Sequence, residues 1–467
     1  MREKELLSSL NKLEQTAAET ADFLLEKIGK LEVEIFAHGD ADGVASSLLL
    51  ATFLRLQDVP FRLTFTGPFG AKDMIRLAES QEKKKLMVFL DQGGSEVDTI
   101  QRSLLETGHQ VVIIDHHQGQ PLTHASLSYL NPHLVGMDGG LEISAAGLTY
   151  LVVERLERSM RRLGWLAVVG ALGDRQEIDG RFIGANQLLV QRMLDEGLVK
   201  KKTGLRLTGR NGSLLNALCY SVKPYLPGIS GNEELCLSIL KQLGLDRSAT
   251  FHQVDEEKLL EAILSRCPDP EKFRKMLWGP LYHNHRYLHE EAIIAQACGM
   301  MERPAVAFGR LAGDSSLETL AWSTTLEYAK KILSALQWIS FHRDSLKNTP
   351  VMRYLHVPVE ASMAGELLSV SLESGILPSE LPVIALVDSG TQIKVSGRVS
   401  HTAQKRYNIG VALSMSARIV GGAGGGHEAA GAAYIPKNKL DIFLSKLEEF
   451  LSGQSENCGE TGVAGEG

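Results

Sequence analysis

Three short apolar runs, VEIFAH at 33–38, KLMVFLD at 85–91 and QVVIIDHH at 110–117, each end in acidic or imidazole side chains. Runs of this kind suit strands buried on both faces of a parallel sheet, and the stretches at 43–56, 71–80 and 96–106 carry helix-like spacing. Strand and helix in alternation is the pattern of βαβ units, so this part of the chain is read as α/β. Ligands of open parallel sheets gather beyond the carboxyl ends of the strands. That edge would receive His38, Asp40 and Asp42 from the first run, Asp91 from the second, and Asp115, His116 and His117 from the third. Asp174 follows the apolar stretch GWLAVVGALG, where an unpaired carboxylate near a core would be costly.

Several carboxylates and imidazoles drawn from separate segments form the ligand set of a binuclear metal site. Oxygen and imidazole ligation without thiolate suits manganese better than a structural zinc, with magnesium as the alternative. Two ions ~3.5–4 Å apart lower the pKa of a shared water and clamp the attacking and leaving oxygens of a phosphoryl displacement. Phosphoester hydrolysis is therefore the expected chemistry. Taken singly, Asp40, Asp42 and Asp115 would pass for turn or cap acids; their joint recurrence at strand ends argues for the metal site.

Composition narrows the alternatives. The 467 residues allow two or three domains, and no apolar run approaches the ~20 residues of a membrane span. The charged start MREKELLSSLNKLEQ lacks the apolar stretch of a secretory signal, so a cytoplasmic protein is expected. Five scattered cysteines without a C-x-x-C pair argue against a disulfide framework and a zinc ribbon. A net charge of −7 is not that of a broadly basic nucleic-acid coat, so a polyanion would have to be held locally. Two basic clusters are available: Lys200, Lys201, Lys202, Arg206 and Arg210, and Arg158, Arg161 and Arg162. Either is equally a solvated face.

Along the chain, residues 1–30 read as an amphipathic helix that opens an N-terminal parallel-sheet domain, 1–231. From 142 onward that domain reads mainly helical. A helical middle region, 232–349, shows no obvious strand series. Alternation resumes in a smaller C-terminal α/β domain, 350–452, and the glycine-rich residues 453–467 are expected to be a disordered tail. Within the C-terminal domain, Gly424, Gly425 and Gly426 would let backbone N–H groups approach a phosphate, with His427 donating to it and Arg398 pairing through its planar fork.

HGDADGVASSLLL at 38–50, LDQG at 90–93, IDHH at 114–117 and GALGDR at 170–175 resemble, in order and spacing, the four motifs of the DHH phosphoesterases. GGGHEAAG at 424–431 resembles the phosphate-binding signature of the C-terminal domain that accompanies one branch of that superfamily. The resemblance covers roughly 30–230 and 350–452 and is nearest to the archaeal RecJ-like single-strand exonucleases. It implies that His38 and Asp40 bind one metal, that Asp42, His116 and Asp174 bind the other, and that Asp91 bridges them. It also implies that Asp115 fixes an imidazole tautomer, that His117 contacts the scissile phosphate or leaving oxygen, and that Arg398, Gly424, Gly425, Gly426 and His427 bind substrate.

The activity so implied is metal-dependent, end-directed hydrolysis of single-stranded DNA or RNA, with the C-terminal domain holding the terminal nucleotide. The same pair of domains also serves short oligonucleotides and cyclic dinucleotides in related families. Some relatives bind the GINS complex, which leaves a replication scaffold with secondary catalysis as a third expectation. Retention of His38, Asp40, Asp42, Asp91, His116 and Asp174 argues against complete loss of catalysis.

Overall fold

A computed structural model of the chain describes residues 2–67, 70–81, 83–178, 180–210, 212–400 and 402–460. Its contacts divide into two compact units. The first is Met1–Thr208, Asp255–Leu260 and Glu271–Tyr328, and the second is Gly209–Val254, Glu261–Pro270 and Ala329–Gly467.

The first unit opens with α1 (Arg2–Lys27), β1 (Glu32–His38), α2 (Ala41–Leu56), β2 (Phe61–Thr66), α3 (Ala71–Glu79), β3 (Lys85–Leu90) and α4 (Val97–Ile100). It continues through β4 (Gln110–Ile114), β5 (Leu127–Leu130), α5 (Ala145–Leu156), α6 (Trp165–Gly173), α7 (Gly184–Asp195) and β6 (Lys200–Leu205). The sheet is all parallel in the order β2-β1-β3-β4-β5, with Ile35 opposite Val88 and Val88 opposite Val112. Ile35, Ala37, Val88, Leu90, Val112 and Ile114 point into the core built with α1, α2, α5 and α6. Their neighbours Phe36, Met87, Phe89, Val111 and Ile113 point the other way, against Met74, Ile100 and Leu104. Both faces are covered, which is why the strands read as continuous apolar runs. The edge strands β2 and β5 escaped the sequence reading: FRLTFT mixes polar residues into the pattern and LSYL is only four residues long. With β1 at the point where strand order reverses, the carboxyl ends of β1 and β3 flank the natural ligand crevice of this topology.

Next in the chain come α8 (Leu214–Cys219), α9 (Glu233–Gln242), α10 (Glu256–Leu264), α11 (Pro270–Leu277), β7 (Trp278–His283), α12 (Leu288–Met300), α13 (Pro304–Leu311) and α14 (Glu318–Phe341). The region 232–349 is mainly helical, as expected, but it also supplies β7, which pairs antiparallel with β6 from Lys200 opposite His283 to Leu205 opposite Trp278. KKKTGL has no apolar alternation, so only the partner strand makes it a strand.

The remainder of the second unit holds β8 (Lys347–Asn348), β9 (Arg353–His356), α15 (Ala364–Glu373), β10 (Val383–Ser389), β11 (Gln392–Arg398), α16 (Ile409–Ile419), β12 (Ala423–Gly426), β13 (Ala430–Pro436) and α17 (Leu440–Glu460). Its mixed sheet runs β12-β13-β11-β10-β9-β8, and Ile384, Leu386, Val395, Leu413, Phe443 and Leu447 form a core with α16 and α17. The last helix passes the expected boundary at 452 and ends at Glu460, so 453–460 is helical rather than a disordered tail. Gln454 anchors the extension, accepting the Asn408 N–H at 2.8 Å and donating to the Asn408 carbonyl at 3.3 Å, and helical hydrogen bonding propagates from there. The rest of that expected tail, 461–467, lies outside the described residues. Among the described residues no helix is long and apolar enough to cross a membrane.

The first helix is integral to the first unit, because Leu13 is 1% exposed within the core shared with α5. Leu13→Ala should lower stability by about 2–5 kcal/mol. Thermal denaturation checks this, and an unchanged midpoint would show α1 to be an appendage.

Candidate metal centre

The carboxyl ends of three adjacent strands and the end of one helix deliver the expected side chains to a single place. His38 is the last residue of β1, and Asp40 caps α2 by accepting from the Gly43 N–H at 3.0 Å. Asp91 follows β3 with a left-handed φ of 59°, a conformation that aspartate tolerates better than most residues. Asp115, His116 and His117 follow β4, and Asp174 terminates α6.

Asp91 stands between two clusters. Its Oδ2 lies 3.4 Å from His38 Nδ1, which is itself 2.9 Å from Asp40 Oδ2. Its Oδ1 lies 3.2 Å from His116 Nε2, which is 3.0 Å from Asp174 Oδ2 and 3.8 Å from Asp42 Oδ2. The ligating atoms of His38, Asp40 and Asp91, and those of Asp42, Asp91, His116 and Asp174, each fall within 4.8 Å of one another. Both oxygens of Asp91, buried at 1% exposure, and Nδ1 of His38 lack a hydrogen bond of normal geometry. The nearest donors to Asp91 are the His38 and His116 imidazoles, and a buried carboxylate crowded by other carboxylates remains costly unless cations complete the balance, so these residues fit a divalent-metal pair.

The titration behaviour follows from the same crowding. Burial raises the Asp91 pKa and Asp40 raises it further; burial, Asp174 and Asp91 together hold Asp42 well above the usual carboxylate range. Burial opposes charge on His38 and His116. Asp40 and Asp91 nevertheless lift His38, and Asp174 and Asp91 lift His116, well above the ordinary imidazole value. Five carboxylates against three imidazoles is a crowd of acidic groups around a buried Asp91 and Asp42, which divalent cations would offset.

Neighbouring groups set the orientation of each candidate ligand. Asp42 accepts the Ala145 N–H at 2.6 Å and the Ala146 N–H at 2.8 Å, the first amides of α5, leaving further lone pairs toward His116. His116 Nδ1 lies 2.6 Å from the Gly139 carbonyl, which also accepts from Gln176 Nε2 at 2.8 Å; Asn186 Nδ2 holds Gln176 Oε1 at 2.6 Å. Asp115 accepts the Gly94 N–H at 2.8 Å and lies 2.8 Å from His117 Nδ1, so it orients His117 and not His116. Burial works against ionising Asp115, yet His117 and His116 lower its pKa. His117 is the more open imidazole, with 36% side-chain exposure against 3% for His116.

Sequence reasoning passed over Gln176, Asn186, Gly139 and Gln296. Gln176 directly follows GALGDR and is fully buried, a position that could have drawn attention. Gln296 on α12 accepts the Ala41 N–H at 3.2 Å across 255 positions, and nothing in the sequence points to it.

In the second unit, Gly424, Gly425 and Gly426 form the edge strand β12 against Ala433, Ala432 and Gly431, not a free loop. A Cβ at Gly424 or Gly426 would meet neighbouring atoms at 2.7 and 2.2 Å, so close strand packing explains these two, whereas Gly425 faces open space. His427 lies in the turn to β13, where its carbonyl accepts the Gly410 N–H of α16 at 3.1 Å. Arg398 ends β11 and donates from Nε to Ser369 Oγ at 3.0 Å and from Nη1 to the Gly397 carbonyl at 2.9 Å. Part of its fork is therefore committed to the fold. The arginines of the expected basic clusters are engaged within the fold: Arg161 pairs with Glu154 at 2.8 Å, Arg206 with Glu177 at 2.8 Å, and Arg210 is buried with its guanidinium 4.7 Å from the Phe251 ring centroid, whereas Lys200, Lys201 and Lys202 stay together and exposed on β6.

Residues 32–169 match the DHH family, N-terminal domain, and residues 359–453 match the DHHA1 domain. An uncharacterized protein of Methanocaldococcus jannaschii is 26% identical over 96% of this chain and 99% of its own. Among solved structures, CDC45 from Entamoeba histolytica is similar at a TM-score of 0.60 and 13% identity, covering 96% of this chain and 99% of that one. RecJ in complex with Mn2+ from Thermus thermophilus is similar at a TM-score of 0.55 and 15% identity, covering 94% of this chain and 54% of that one. These two likenesses concern the fold.

Two outcomes test these placements. Gly170 packs so tightly that a Cβ would lie 2.1 Å from Asp42 Oδ1, so Gly170→Ala should displace that carboxylate and cost about 1–3 kcal/mol of stability. Isothermal titration with manganese should show weakened binding; unchanged affinity would remove Asp42 from the ligand set. In the second unit, burial and then Arg398 push the Lys394 pKa from 10.5 down to about 8. The folded pKa lies below the unfolded one, so the cost of burying the ammonium is full below pH 8 and is relieved as pH rises toward 10.5. The stability gained by Lys394→Met should therefore be larger at about pH 7 than at about pH 10, read by denaturant unfolding; a pH-independent difference would contradict this.

Proposed function

Because this chain belongs to the DHH superfamily, with its N-terminal domain and a DHHA1 domain, we propose that it is a metal-dependent phosphodiesterase that shortens single-stranded DNA or RNA from an end. The observation that carries the reading is Asp91, whose two buried oxygens turn toward two separate ligand clusters. His38, Asp40 and Asp91 Oδ2 would hold one divalent ion, and Asp42, His116, Asp174 and Asp91 Oδ1 the other. When bound, such a pair lowers the pKa of water and stabilises charge on the attacking and leaving oxygens.

The protein's own groups do the rest. The α5 amides and the Gly139 carbonyl fix Asp42 and His116 before substrate arrives, so little reorganisation accompanies reaction. Asp115 holds His117 Nδ1, leaving the opposite ring nitrogen to meet the scissile phosphate or the departing oxygen. In the second unit, Arg398, the Gly424–Gly426 edge and His427 are assigned to the substrate's phosphates. Manganese is the favoured metal on ligand chemistry, with magnesium as the alternative; the Thermus RecJ is described in complex with each.

A short-oligonucleotide or cyclic-dinucleotide phosphodiesterase is the second reading, and a replication scaffold with GINS as partner is the reading from another class; the likeness to CDC45 over nearly the whole chain is one of fold. A time course on end-labelled single-stranded DNA and RNA, from dinucleotides to 25-mers, with manganese separates the readings. End-directed loss of nucleotides from the long strands is expected. Asp91→Ala should reduce the rate by more than the roughly 10–100-fold typical of losing a group behind the ligand shell. Undiminished cleavage in that variant would remove Asp91 from the centre. Cleavage confined to dinucleotides or to cyclic dinucleotides would replace the exonuclease reading, and absence of cleavage on every substrate would leave the scaffold.

A further inference from the structure

β6 and β7 form a two-stranded ribbon whose twelve residues, KKKTGL and WGPLYH, include three lysines and no acid. In a chain of net charge −7 this is a local reversal of sign. Lys200, Lys201 and Lys202 are exposed, and among the described residues none has a carboxylate partner. Alternation along the strand puts Lys200 and Lys202 on one face and Lys201 on the other. Lys200 is registered opposite His283, Lys202 Nζ lies 5.2 Å from the Tyr287 ring centroid, and His283 and Tyr287 are ring neighbours at 5.9 Å. Two ammonium groups, an imidazole and a phenol ring therefore share one face. Burial and then Lys202 and Lys200 lower the His283 pKa, so the ring is a neutral donor or stacking surface amid positive charge.

The ribbon is tied to the segment that bears Asp174. Arg206, one residue past β6, donates to Glu177 at 2.8 Å and to the Pro280 carbonyl at 3.1 Å, and His289 lies 3.5 Å from the same glutamate. A Cβ on Gly180 would come within 2.8 Å of Pro280, so both Glu177 and Gly180 lie against the ribbon. Lys202 and Lys200 lie a further four to six residues along the strand from Arg206, about 13–20 Å at ~3.3 Å per residue. A dinucleotide held among the carboxylates would be too short to span that length, whereas a longer strand could follow it.

We propose that the Lys200–Lys202–His283–Tyr287 face of the β6–β7 ribbon binds the phosphodiester backbone of a single strand at a distance from the cleaved end. The lysines take phosphates and Tyr287 offers a ring for a base. This inference rests on the single-strand reading of the metal centre and adds a determinant of substrate length.

The test compares wild type with Lys200→Ala/Lys202→Ala, Tyr287→Leu, and a charge-matched Lys12→Ala/Lys83→Ala control. Anisotropy of a fluorescein-labelled single-stranded 25-mer is followed across a salt series with metal chelated, and dinucleotide hydrolysis is followed with manganese. The lysine pair should weaken 25-mer binding about 3–10-fold at 100 mM salt and flatten the log–log salt slope by about 1.4, or ~0.7 per phosphate released. Tyr287→Leu should weaken binding with the slope kept. Dinucleotide hydrolysis and the control should stay at wild-type levels. An unchanged slope in the lysine pair, an equal loss in the control, or a parallel loss of dinucleotide hydrolysis would each overturn the proposal. If wild type neither binds nor cuts any strand, the single-strand reading fails and takes this inference with it.

Discussion

The buried Asp91 carboxylate, with negative neighbours on both sides, governs this molecule's design. Asp40, Asp42 and Asp174 crowd it at the edge of the sheet; Asp42 is as buried as Asp91, while Asp40 and Asp174 are only partly covered. Such a cluster costs stability unless imidazoles and cations balance it. The surrounding structure reads as a response to that cost: helix α5 aims its first amides at Asp42, Gly139 turns its carbonyl to His116, and Asp115 steadies His117. Each contact fixes a ligand without adding negative charge beside Asp91, apart from Asp115, which acts one layer out.

The sheet supplies the precision this requires. Parallel strands β1, β3 and β4 are in register and covered on both faces, so their ends cannot shift independently. Glycine is demanded where two elements meet at the site, as at Gly170 against Asp42 and Gly299 against the Gly39 carbonyl. The latter contact, with the Gln296 bond to Ala41, brings α12 onto the first motif loop, although residues 288–300 lie outside both matched domains. The middle of the chain thus helps to position the candidate metal centre as well as linking other parts.

Much of this was legible in one dimension because buried strands announce themselves. VEIFAH, KLMVFLD and QVVIIDHH are predominantly apolar, with Glu34 inside the first strand paired to Lys85 at 2.6 Å, and the recurrence of acids and imidazoles at all three strand ends points to function. Asp115 was likewise readable as an imidazole's partner, but which imidazole was not: the choice of His117 depends on how the chain turns after β4. KKKTGL looked like a solvated charge run inside a mainly helical stretch, since its pairing partner begins at Trp278. The glycine triplet looked like a loop for the same reason, because edge strands without side chains leave no periodicity to detect.

The α/β class, the DHH motifs in order, and the six side chains from His38 to Asp174 that gather at the sheet's edge could all be read in one dimension. Those follow from local pattern, where burial and chemistry are written in consecutive residues. Only folding of the whole chain makes the two Asp91 oxygens face different clusters, sets Gln176 and Asn186 behind His116, and places three lysines on a ribbon with Tyr282 and beside Tyr287. These depend on contacts between residues tens to hundreds of positions apart. No local preference encodes them; packing of the whole chain selects them.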